Sequence, residues 1–238
     1  KKRGKLKKLL SVTLKKSLNS AKFVHYTVSA ERDSASSIHT MQANSIVVPL
    51  GIDFSCFPNF TSEDRFAFRN RYMKNPSNLL LLFVGRLNWK KGLDRVLLNL
   101  PEKEGYEFLI VGPDDENYWE HLKSTVPCGS FKNVNYIGPL YGDDLNKAYH
   151  SSDIFVLTSY SENFAMTILE ASYYENAILM TENVGISCFY NSESAIITSL
   201  KDADIKEGLL SLINNKKQRE KLSSKSKDLS KRFGIKQT

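Results

Sequence analysis

Two basic residues follow one apolar segment at a spacing that suits the binding of phosphate. The run LLLLFVG at 79–85 is followed by Arg86, and Lys91 comes five residues later. Arginine offers a planar fork that matches phosphate oxygens, and lysine offers a compact positive charge. The sequence contains neither the Gly-x-Gly-x-x-Gly signature of dinucleotide sites nor the Gly-x4-Gly-Lys-Ser/Thr signature of P-loops. Arg86 and Lys91 therefore predict an anion site of another kind.

A second segment, SENFAMTILEASYYEN at 161–176, carries two glutamates, Glu162 and Glu170. We expect a helix over 162–176, so that the N–H groups at its start add to the anion site. Eight helical residues rise about 12 Å, which would place Glu170 two turns below Glu162 on nearly the same side. Each carboxylate could accept hydrogen bonds from a pair of hydroxyls. The simpler interpretation is a first-turn Glu favoured by the helix dipole and an ordinary helical Glu.

The apolar pattern of the chain predicts strands that alternate with helices. Strands are expected at 22–28, 46–50, 79–85, 107–112, 133–138, 153–159, 177–181 and 194–198. Helices are expected at 5–18, 62–74, 92–100, 117–126, 143–152, 162–176, 202–215 and 216–232. Strands this apolar belong in a parallel sheet that helices cover on both faces, a doubly wound, Rossmann-like α/β domain. Such sheets bind ligands beyond the carboxyl ends of their strands, where Arg86 and Lys91 lie.

Metal and disulfide chemistry find little support in the sequence. The three cysteines, Cys56, Cys128 and Cys188, are widely spaced, and the four histidines show no metal-ligand spacing. Asp114 and Asp115 follow a strand-ending glycine, so we interpret them as the cap of the next helix rather than as a metal-binding pair. Free thiols fit a reducing, cytoplasmic compartment.

The net charge of +7 is concentrated at the two ends of the chain. Residues 1–16 hold eight Lys or Arg and no acid, and 216–238 carry a net charge of +7, which leaves −8 on 17–215. This distribution argues against a nucleic-acid-binding protein. Solvated lysine-rich helices explain the ends most simply, and the sharper interpretation is contact with an anionic membrane surface. The apolar runs are far too short to cross a bilayer.

Several runs together resemble the C-terminal, donor-binding domain of retaining glycosyltransferases with the GT-B fold, the glycogen-synthase-like family four, or group 1. These runs are FVGRLNWKKGLDRVL, FLIVGP, YIGPL and SYSENFAMTILEA, and the resemblance covers about 46–233. The combination is specific, because Gly-Arg-x4-Lys-Gly follows a strand and Ser-x-x-Glu-x7-Glu-Ala opens a helix. The resemblance implies an enzyme that needs no metal ion and uses a UDP-sugar or a GDP-sugar.

The resemblance also implies a role for each matching residue. Arg86 and Lys91 would hold the donor diphosphate, Glu162 would contact the transferred sugar, and Glu170 would bind the ribose. We therefore expect Glu162, Arg86 and Lys91 to form the catalytic group. The other donor-binding positions would be the strand end at Gly85, the loop beside the base at Ile137, Gly138, Pro139 and Leu140, and the backbone of Asn163, Phe164 and Ala165.

The same resemblance predicts how the chain is organised. Residues 1–48 resemble the tail of an N-terminal, acceptor-binding domain, 49–57 the interdomain linker and 58–215 the nucleotide-sugar-binding domain, and 216–238 would be a basic crossover helix cut short. Without an initiator Met, the chain looks like part of a longer enzyme. In the family linker Leu50 replaces the usual Asn, and Asn183-Val184-Gly185-Ile186 replaces a Gly-Gly-x-x-Glu turn.

The leading hypothesis is a retaining glycosyltransferase that transfers a sugar to a polysaccharide or a lipid-linked glycan, in the cytoplasm or on the inner face of the membrane. Retaining glycosidases hold their two carboxyls about 5 Å apart, which is closer than Glu162 and Glu170 would lie. A GT-B phosphorylase or an epimerase is the second hypothesis, although no pyridoxal lysine environment is recognisable. The third hypothesis is a non-catalytic nucleotide-binding module.

Overall fold

The computed structural model describes residues 13–14, 16–38 and 44–235. Within it the chain divides into two compact units, Lys1–Leu50 and Gly51–Thr238. The residues that the sequence analysis singled out for chemistry all belong to the larger unit, so the site is built from that unit alone.

The smaller unit contains two parallel strands, β1 (Phe23–Tyr26) and β2 (Asn44–Val47), and a helix, α1 (Ser29–Ile38), that lies between them in sequence. Helix α1 was not predicted, because its Ser-rich run SAERDSASSI has few apolar residues to set a helical period. The predicted helix 5–18 lies mostly outside the described residues, although 13–14 and 16–20 have helical backbone.

The larger unit is built on a parallel sheet of six strands. These are β3 (Leu79–Val84), β4 (Tyr106–Val111), β5 (Val134–Tyr136), β6 (Ile154–Leu157), β7 (Ala177–Thr181) and β8 (Ile196–Thr198). Their order across the sheet is β5-β4-β3-β6-β7-β8, with every neighbouring pair parallel. The chain starts in the middle, builds outward to one edge and returns to build the other half. This order confirms the predicted doubly wound fold and places the switch point between β3 and β6.

Seven helices of the larger unit connect and cover these strands in the described part of the chain. They are α2 (Ser62–Tyr72), α3 (Leu93–Asn99), α4 (Tyr118–Thr125), α5 (Gly142–Ser151), α6 (Met166–Tyr173), α7 (Asp202–Asn214) and α8 (Lys216–Ser230). Short 3-10 segments occupy Phe54–Cys56, Trp89–Lys91, Cys128–Phe131, Gly185–Phe189 and Lys231–Phe233. Apart from β2 and α6, the strands β1 to β8 and the helices α2 to α8 begin and end within two residues of the predicted bounds. Among the described residues, no helix has the length and apolar character needed to cross a membrane.

The core of the larger unit lies along the central strands. Leu80, Leu81, Leu82 and Phe83 of β3 are fully buried, and every residue of β6 and β7 is buried as well. A strand covered by helices on both faces is apolar on both faces, which explains why these segments lack a polar alternation. As a result, polar chemistry is confined to the loops at the strand ends.

Asp153, the residue before β6, anchors α2 to the amino end of the sheet. Its two carboxylate oxygens accept hydrogen bonds from Arg65 Nη2 and Arg69 Nη2, each at 2.6 Å. One of them also accepts from Leu80 N at 2.7 Å, and Arg69 Nε donates to the Ser151 carbonyl oxygen at 2.9 Å. Charge-assisted hydrogen bonds of this kind are short and strong. This network fixes the end of the sheet opposite to the predicted site.

Candidate functional site

The candidate site lies at the carboxyl edge of the sheet, where the loops after β3 and β6 meet across the switch point. Two glycines allow close approaches at this edge, Gly92 between the loops after β3 and β6 and Gly112 between the ends of β3 and β4. A Cβ on Gly92 would lie 2.0 Å from the Thr158 carbonyl oxygen, and a Cβ on Gly112 would lie 1.9 Å from that of Gly85. Gly92 also has a φ of 67°, which favours glycine. The glycine of the Lys91-Gly92 pair is therefore required for packing, in addition to being part of the Gly-Arg-x4-Lys-Gly motif.

Hydrogen bonds tie the loop after β3 to the end of β6. Tyr160 N donates to the Lys90 carbonyl oxygen at 2.8 Å, and Thr158 Oγ1 donates to that of Gly92 at 2.7 Å. Asn88 caps the turn Trp89–Lys91, because its side chain accepts from Lys90 N at 2.9 Å. Lys91 is thus held beside the chain that follows β6.

Tyr160 strengthens this connection through its hydroxyl group. The hydroxyl accepts from Arg95 Nε and donates to Asp94 Oδ2, both at 2.8 Å. Arg95 Nη1 in turn lies 2.7 Å from Asp202 Oδ1 on α7. Burial raises the pKa of Tyr160, and the hydrogen bond to Asp94 adds to that rise. Tyr160 therefore remains a neutral hydrogen-bond donor that links the two loops to α3 and α7.

Lys91 and Glu162 form an ion pair at the centre of the site. Lys91 Nζ donates to Glu162 Oε2, and the two side chains are 26% and 20% exposed. Arg86 lies nearby but is 64% exposed, with its Nε 3.7 Å from Asp115 Oδ2. The structure thus brings one predicted cation and one predicted carboxylate into direct contact and leaves the second cation exposed.

A cavity of about 480 Å³ opens over this ion pair. Its lining residues are Arg86, Asn88, Lys90, Lys91, Ser161, Glu162 and Asn163. Three of these side chains are cations and one is an anion, so the lining has a net positive charge that suits phosphate groups. Asn88, Lys90 and Ser161 were not predicted as site residues. All three lie in the two loops at the switch point, so their positions could have indicated a place in the site.

The helix predicted over 162–176 begins only at Met166, so the prediction is wrong for its first turn. Glu162 instead forms a parallel bridge with Val184, in which Glu162 N donates to the Asn183 carbonyl oxygen at 3.2 Å. Ala165 then adopts a left-handed conformation, with a φ of 63°, which prevents a helix from continuing through it. The predicted helical rise between the two glutamates does not apply, and the first N–H groups of α6 come after the loop that holds Glu162.

Phe164 anchors the loop between β6 and α6. Its side chain is 3% exposed and lies edge-on to Phe189 and Phe233, with ring centroids 6.4 and 6.0 Å away. Asn163 lines the cavity, whereas Ala165 lies outside the lining, at the cap of α6. Phe164 can therefore offer a ligand only its backbone, which is the kind of contact that the resemblance implies.

Glu170 lies on α6 and does not line the cavity. Its Oε2 accepts a hydrogen bond of 2.6 Å from the hydroxyl of Tyr149, which is fully buried on α5. Burial raises the pKa of Glu170, and the hydrogen bond from Tyr149 acts in the opposite direction. The two predicted carboxylates thus differ in environment, since Glu162 pairs with a lysine and Glu170 with a tyrosine.

The loop at 137–140, predicted to lie beside a nucleotide base, follows β5 at the edge of the sheet. Gly138 has a φ of 77°, and its carbonyl oxygen accepts from Gly112 N at 3.0 Å. Ile137 N donates to the Ile110 carbonyl oxygen at 3.2 Å, Pro139 is exposed and Leu140 is partly buried. The loop is fixed to the carboxyl end of β4, two strands away from β6, and does not line the cavity.

Asp114 caps α4, as predicted. Its two carboxylate oxygens accept from Tyr118 N at 2.6 Å and from Trp119 N at 2.9 Å. In the described part of the chain, no group of three or more His, Cys, Asp or Glu side chains is placed to hold a metal ion. The three cysteines are free and exposed.

Sequence comparisons place this chain in a family. A family model described as Glycosyl transferases group 1 matches residues 64–229, more than half of the chain. A sulfoquinovosyl transferase of Arabidopsis thaliana is 34% identical over 126 residues, which cover 51% of this chain and 22% of that protein. The N,N'-diacetylbacillosaminyl-diphospho-undecaprenol alpha-1,3-N-acetylgalactosaminyltransferase of Campylobacter jejuni is 25% identical over 213 residues, which cover 84% of this chain and 54% of that protein. The chain thus spans about half or less of the length of these relatives.

Solved structures share the fold at low sequence identity. Anabaena HepE in complex with UDP and glucose matches with a TM-score of 0.81 and 16% identity, covering 94% of this chain and 63% of that chain. The C-terminal domain of LpcC, a glycosyl transferase group 1 family protein of Francisella tularensis, matches with a TM-score of 0.66 and 20% identity, covering 78% of this chain and 100% of that chain. These matches confirm a GT-B-type fold, and the family match confirms the resemblance carried by the motifs. The chain belongs to the group 1 glycosyl transferases.

Proposed function

We propose that this chain is the nucleotide-sugar-binding part of a retaining glycosyltransferase. The observation that carries the proposal is the cavity at the switch point, which Arg86, Lys90 and Lys91 line together with Glu162. Family membership supports a transferase. The UDP named for the Anabaena structure supports a UDP-sugar as the donor, and a GDP-sugar is the alternative. A diphosphate is the kind of anion that such a group of cations binds.

In the proposed reaction, Arg86 and Lys91 bind the diphosphate of the donor. As the bond between sugar and phosphate breaks, negative charge develops on the leaving diphosphate, and the two cations stabilise it. The acceptor hydroxyl attacks on the face that the diphosphate leaves and passes its proton to the departing phosphate oxygen, so the anomeric configuration is retained. Because protein cations meet the charge of the leaving group, we propose that the reaction needs no metal ion.

The ion pair gives Lys91 two competing partners. In the free chain, its ammonium group is bound to the carboxylate of Glu162. A diphosphate that binds in the cavity competes for the same ammonium group and carries more charge than the carboxylate. Glu162 is then released to accept hydrogen bonds from hydroxyls of the transferred sugar. Binding of the donor diphosphate therefore makes the Glu162 carboxylate available as a hydrogen-bond acceptor.

We expect Glu162→Gln to bind UDP or GDP more tightly than the parent chain, by about two- to tenfold, since the ion pair that holds Lys91 is lost. The corresponding nucleotide sugar should gain less, because it also loses a carboxylate acceptor for its hydroxyls. Calorimetric titration with both ligands measures the difference. Glu120→Gln is the control, since Glu120 forms an exposed ion pair with Lys123 on α4. Weaker diphosphate binding by Glu162→Gln would contradict the competition.

The ribose contact of Glu170 tests the proposed function. The parent chain should bind UDP, or GDP if that is the tighter ligand, better than the 2′-deoxy form. Glu170→Gln should lose most of this preference, about tenfold, because a charge-assisted hydrogen bond to the ribose is replaced by a neutral one. Glu175→Gln is the matched control, since Glu175 follows α6 and pairs with Lys227. Equal affinity of the parent for both forms would return Glu170 to a structural role.

We also propose that the acceptor is a polysaccharide or a lipid-linked glycan at the cytoplasmic face of a membrane. The name of the Campylobacter jejuni relative supports this, since it describes a diphospho-undecaprenol-linked sugar. The exposed side of α8 supports contact with an anionic surface, because it carries Lys216, Lys217, Lys221 and Lys225 while Leu222 faces the core. The basic residues at 1–12 lie outside the described residues, and their part in this contact stays a prediction.

A further inference from the structure

Tyr149 is placed to act on Glu170 through a single contact. Its side chain is fully buried, and its hydroxyl donates to Glu170 Oε2 at 2.6 Å. The ring is held between Phe155 and Tyr174, with centroids 5.9 and 6.3 Å away. The Tyr149 carbonyl oxygen accepts from Asn176 Nδ2 at 2.8 Å. The two ring contacts hold the side chain of Tyr149 and the hydrogen bond from Asn176 holds its backbone, so the hydroxyl is kept in one position.

The contact leaves part of the carboxylate available for a ligand. An ionised carboxylate accepts about four hydrogen bonds on its two oxygens. Among the described residues, Oε1 of Glu170 has no hydrogen-bond partner, while Oε2 has one, the hydroxyl of Tyr149. A diol needs two acceptor positions aimed in one direction. The two oxygens of Glu170 can accept from both hydroxyls of a diol only if the carboxylate does not rotate. The hydrogen bond from Tyr149 to Oε2 prevents that rotation.

We infer that Tyr149 is a positioning residue, which holds the Glu170 carboxylate in the orientation that accepts both ribose hydroxyls of the donor nucleotide. The inference rests on the proposed ribose contact of Glu170. Tyr149 does not touch the nucleotide, and it acts only through the carboxylate. It therefore determines how strongly the site prefers a ribonucleotide to its 2′-deoxy form, and over what range of pH the preference holds.

The pH range follows from the charges around Glu170. Its ionisable neighbours are Tyr149 from α5 and Tyr174 at the end of α6. Helix α8 also packs against α6, but its Lys227 pairs with Glu175 and not with Glu170. Burial raises the pKa of Glu170, and Tyr149 opposes that rise. Without the hydroxyl, the pKa rises further. The carboxylate then takes up a proton at a higher pH and stops accepting from one of the two hydroxyls.

The experiment compares the parent with Tyr149→Phe and with Tyr106→Phe. Tyr106 is the matched control, because it is also buried and its hydroxyl donates to a backbone carbonyl oxygen, that of Pro101, at 2.7 Å. Each protein is titrated with UDP and with 2′-deoxyuridine diphosphate from about pH 5 to about pH 8. We expect Tyr149→Phe to lose the preference for UDP about tenfold at the low end of this range and to recover it only at higher pH than the parent. Tyr106→Phe should match the parent throughout.

The pH dependence of unfolding provides a readout without any nucleotide. Because the pKa of Glu170 is raised in the folded chain, the contribution of Glu170 to the free energy of unfolding falls as the pH rises from the unfolded to the folded pKa. In Tyr149→Phe this fall should continue to higher pH, and in Tyr149→Phe/Glu170→Gln it should be absent. Identical profiles for the parent and Tyr149→Phe would overturn the inference, whatever the nucleotide does.

The outcomes separate this inference from the proposed function. A parent chain that binds UDP with no preference for ribose overturns the ribose contact and the inference with it. A parent chain that prefers ribose, together with a Tyr149→Phe variant that keeps the same preference at every pH, overturns the inference alone. Loss of the preference in Tyr149→Phe and not in Tyr106→Phe supports it.

Discussion

Lys91→Ala should weaken the binding of UDP or GDP by about 1.5–3 kcal/mol, the range for hydrogen bonds to charged groups. The reason is the position of Lys91, which the turn Trp89–Lys91 and the close approach of Gly92 to β6 hold at the centre of the cavity. Affinity for the nucleosides uridine and guanosine should barely change, since they lack the diphosphate. Arg86→Ala should act in the same direction but less strongly, because Arg86 is more exposed.

Titration calorimetry of the variants with diphosphates and nucleosides measures this effect. Lys132→Ala is a suitable control, because Lys132 is 72% exposed and pairs with Glu104 at the opposite end of the sheet. The control should bind like the parent. Unchanged diphosphate affinity in Lys91→Ala and in Arg86→Ala would place the anion site elsewhere in the molecule.

Asp153→Ala should lower the free energy of unfolding by about 3 kcal/mol, the low end of the range for breaking a buried ion pair. The substitution leaves Arg65 and Arg69 without their shared carboxylate, and the Arg69 side chain is only 11% exposed. It also leaves Leu80 N without its acceptor at the start of β3. The low end applies because the Asp153 and Arg65 side chains remain 21% and 33% exposed.

Urea unfolding of the parent and the variant gives this difference. Asp228→Ala provides the comparison, because Asp228 pairs with Lys231 at the surface, where both side chains are more than half exposed. An exposed pair of this kind contributes about 0–1 kcal/mol. If Asp153→Ala destabilised the chain no more than Asp228→Ala, the network before β6 would not anchor α2.

Local patterns were sufficient to predict the sheet, and with it the edge at which the candidate site lies. The run Leu79–Val84 is apolar throughout because β3 is covered on both faces, and this property can be read from the segment alone. The rule that ligands bind beyond the carboxyl ends of strands then led to Lys91 and Arg86. That β3 lies next to β6, which brings Lys91 to Glu162, follows from the doubly wound order and not from any spacing in the sequence.

Contacts between distant segments were beyond local reasoning. A helix was predicted to begin at Glu162, but the backbone of Glu162 pairs with 183–185, and this long-range pairing overrides the local preference. The contact of Tyr149 with Glu170 joins two helices, and no spacing in the sequence signals it. For the same reason, the sequence indicated Glu170 but not Tyr149, which donates a hydrogen bond to its carboxylate.

Titration of the unaltered chain with UDP and GDP is the decisive experiment, because the proposed function depends on a diphosphate site at the switch point. Calorimetry at low salt is the method, with uridine and guanosine as ligands that lack the diphosphate. We expect saturable binding of at least one diphosphate below about 1 mM, tighter than that of its nucleoside and weakened by added salt. If neither UDP nor GDP bound, or if the nucleosides bound as tightly as the diphosphates, the proposed function would be contradicted.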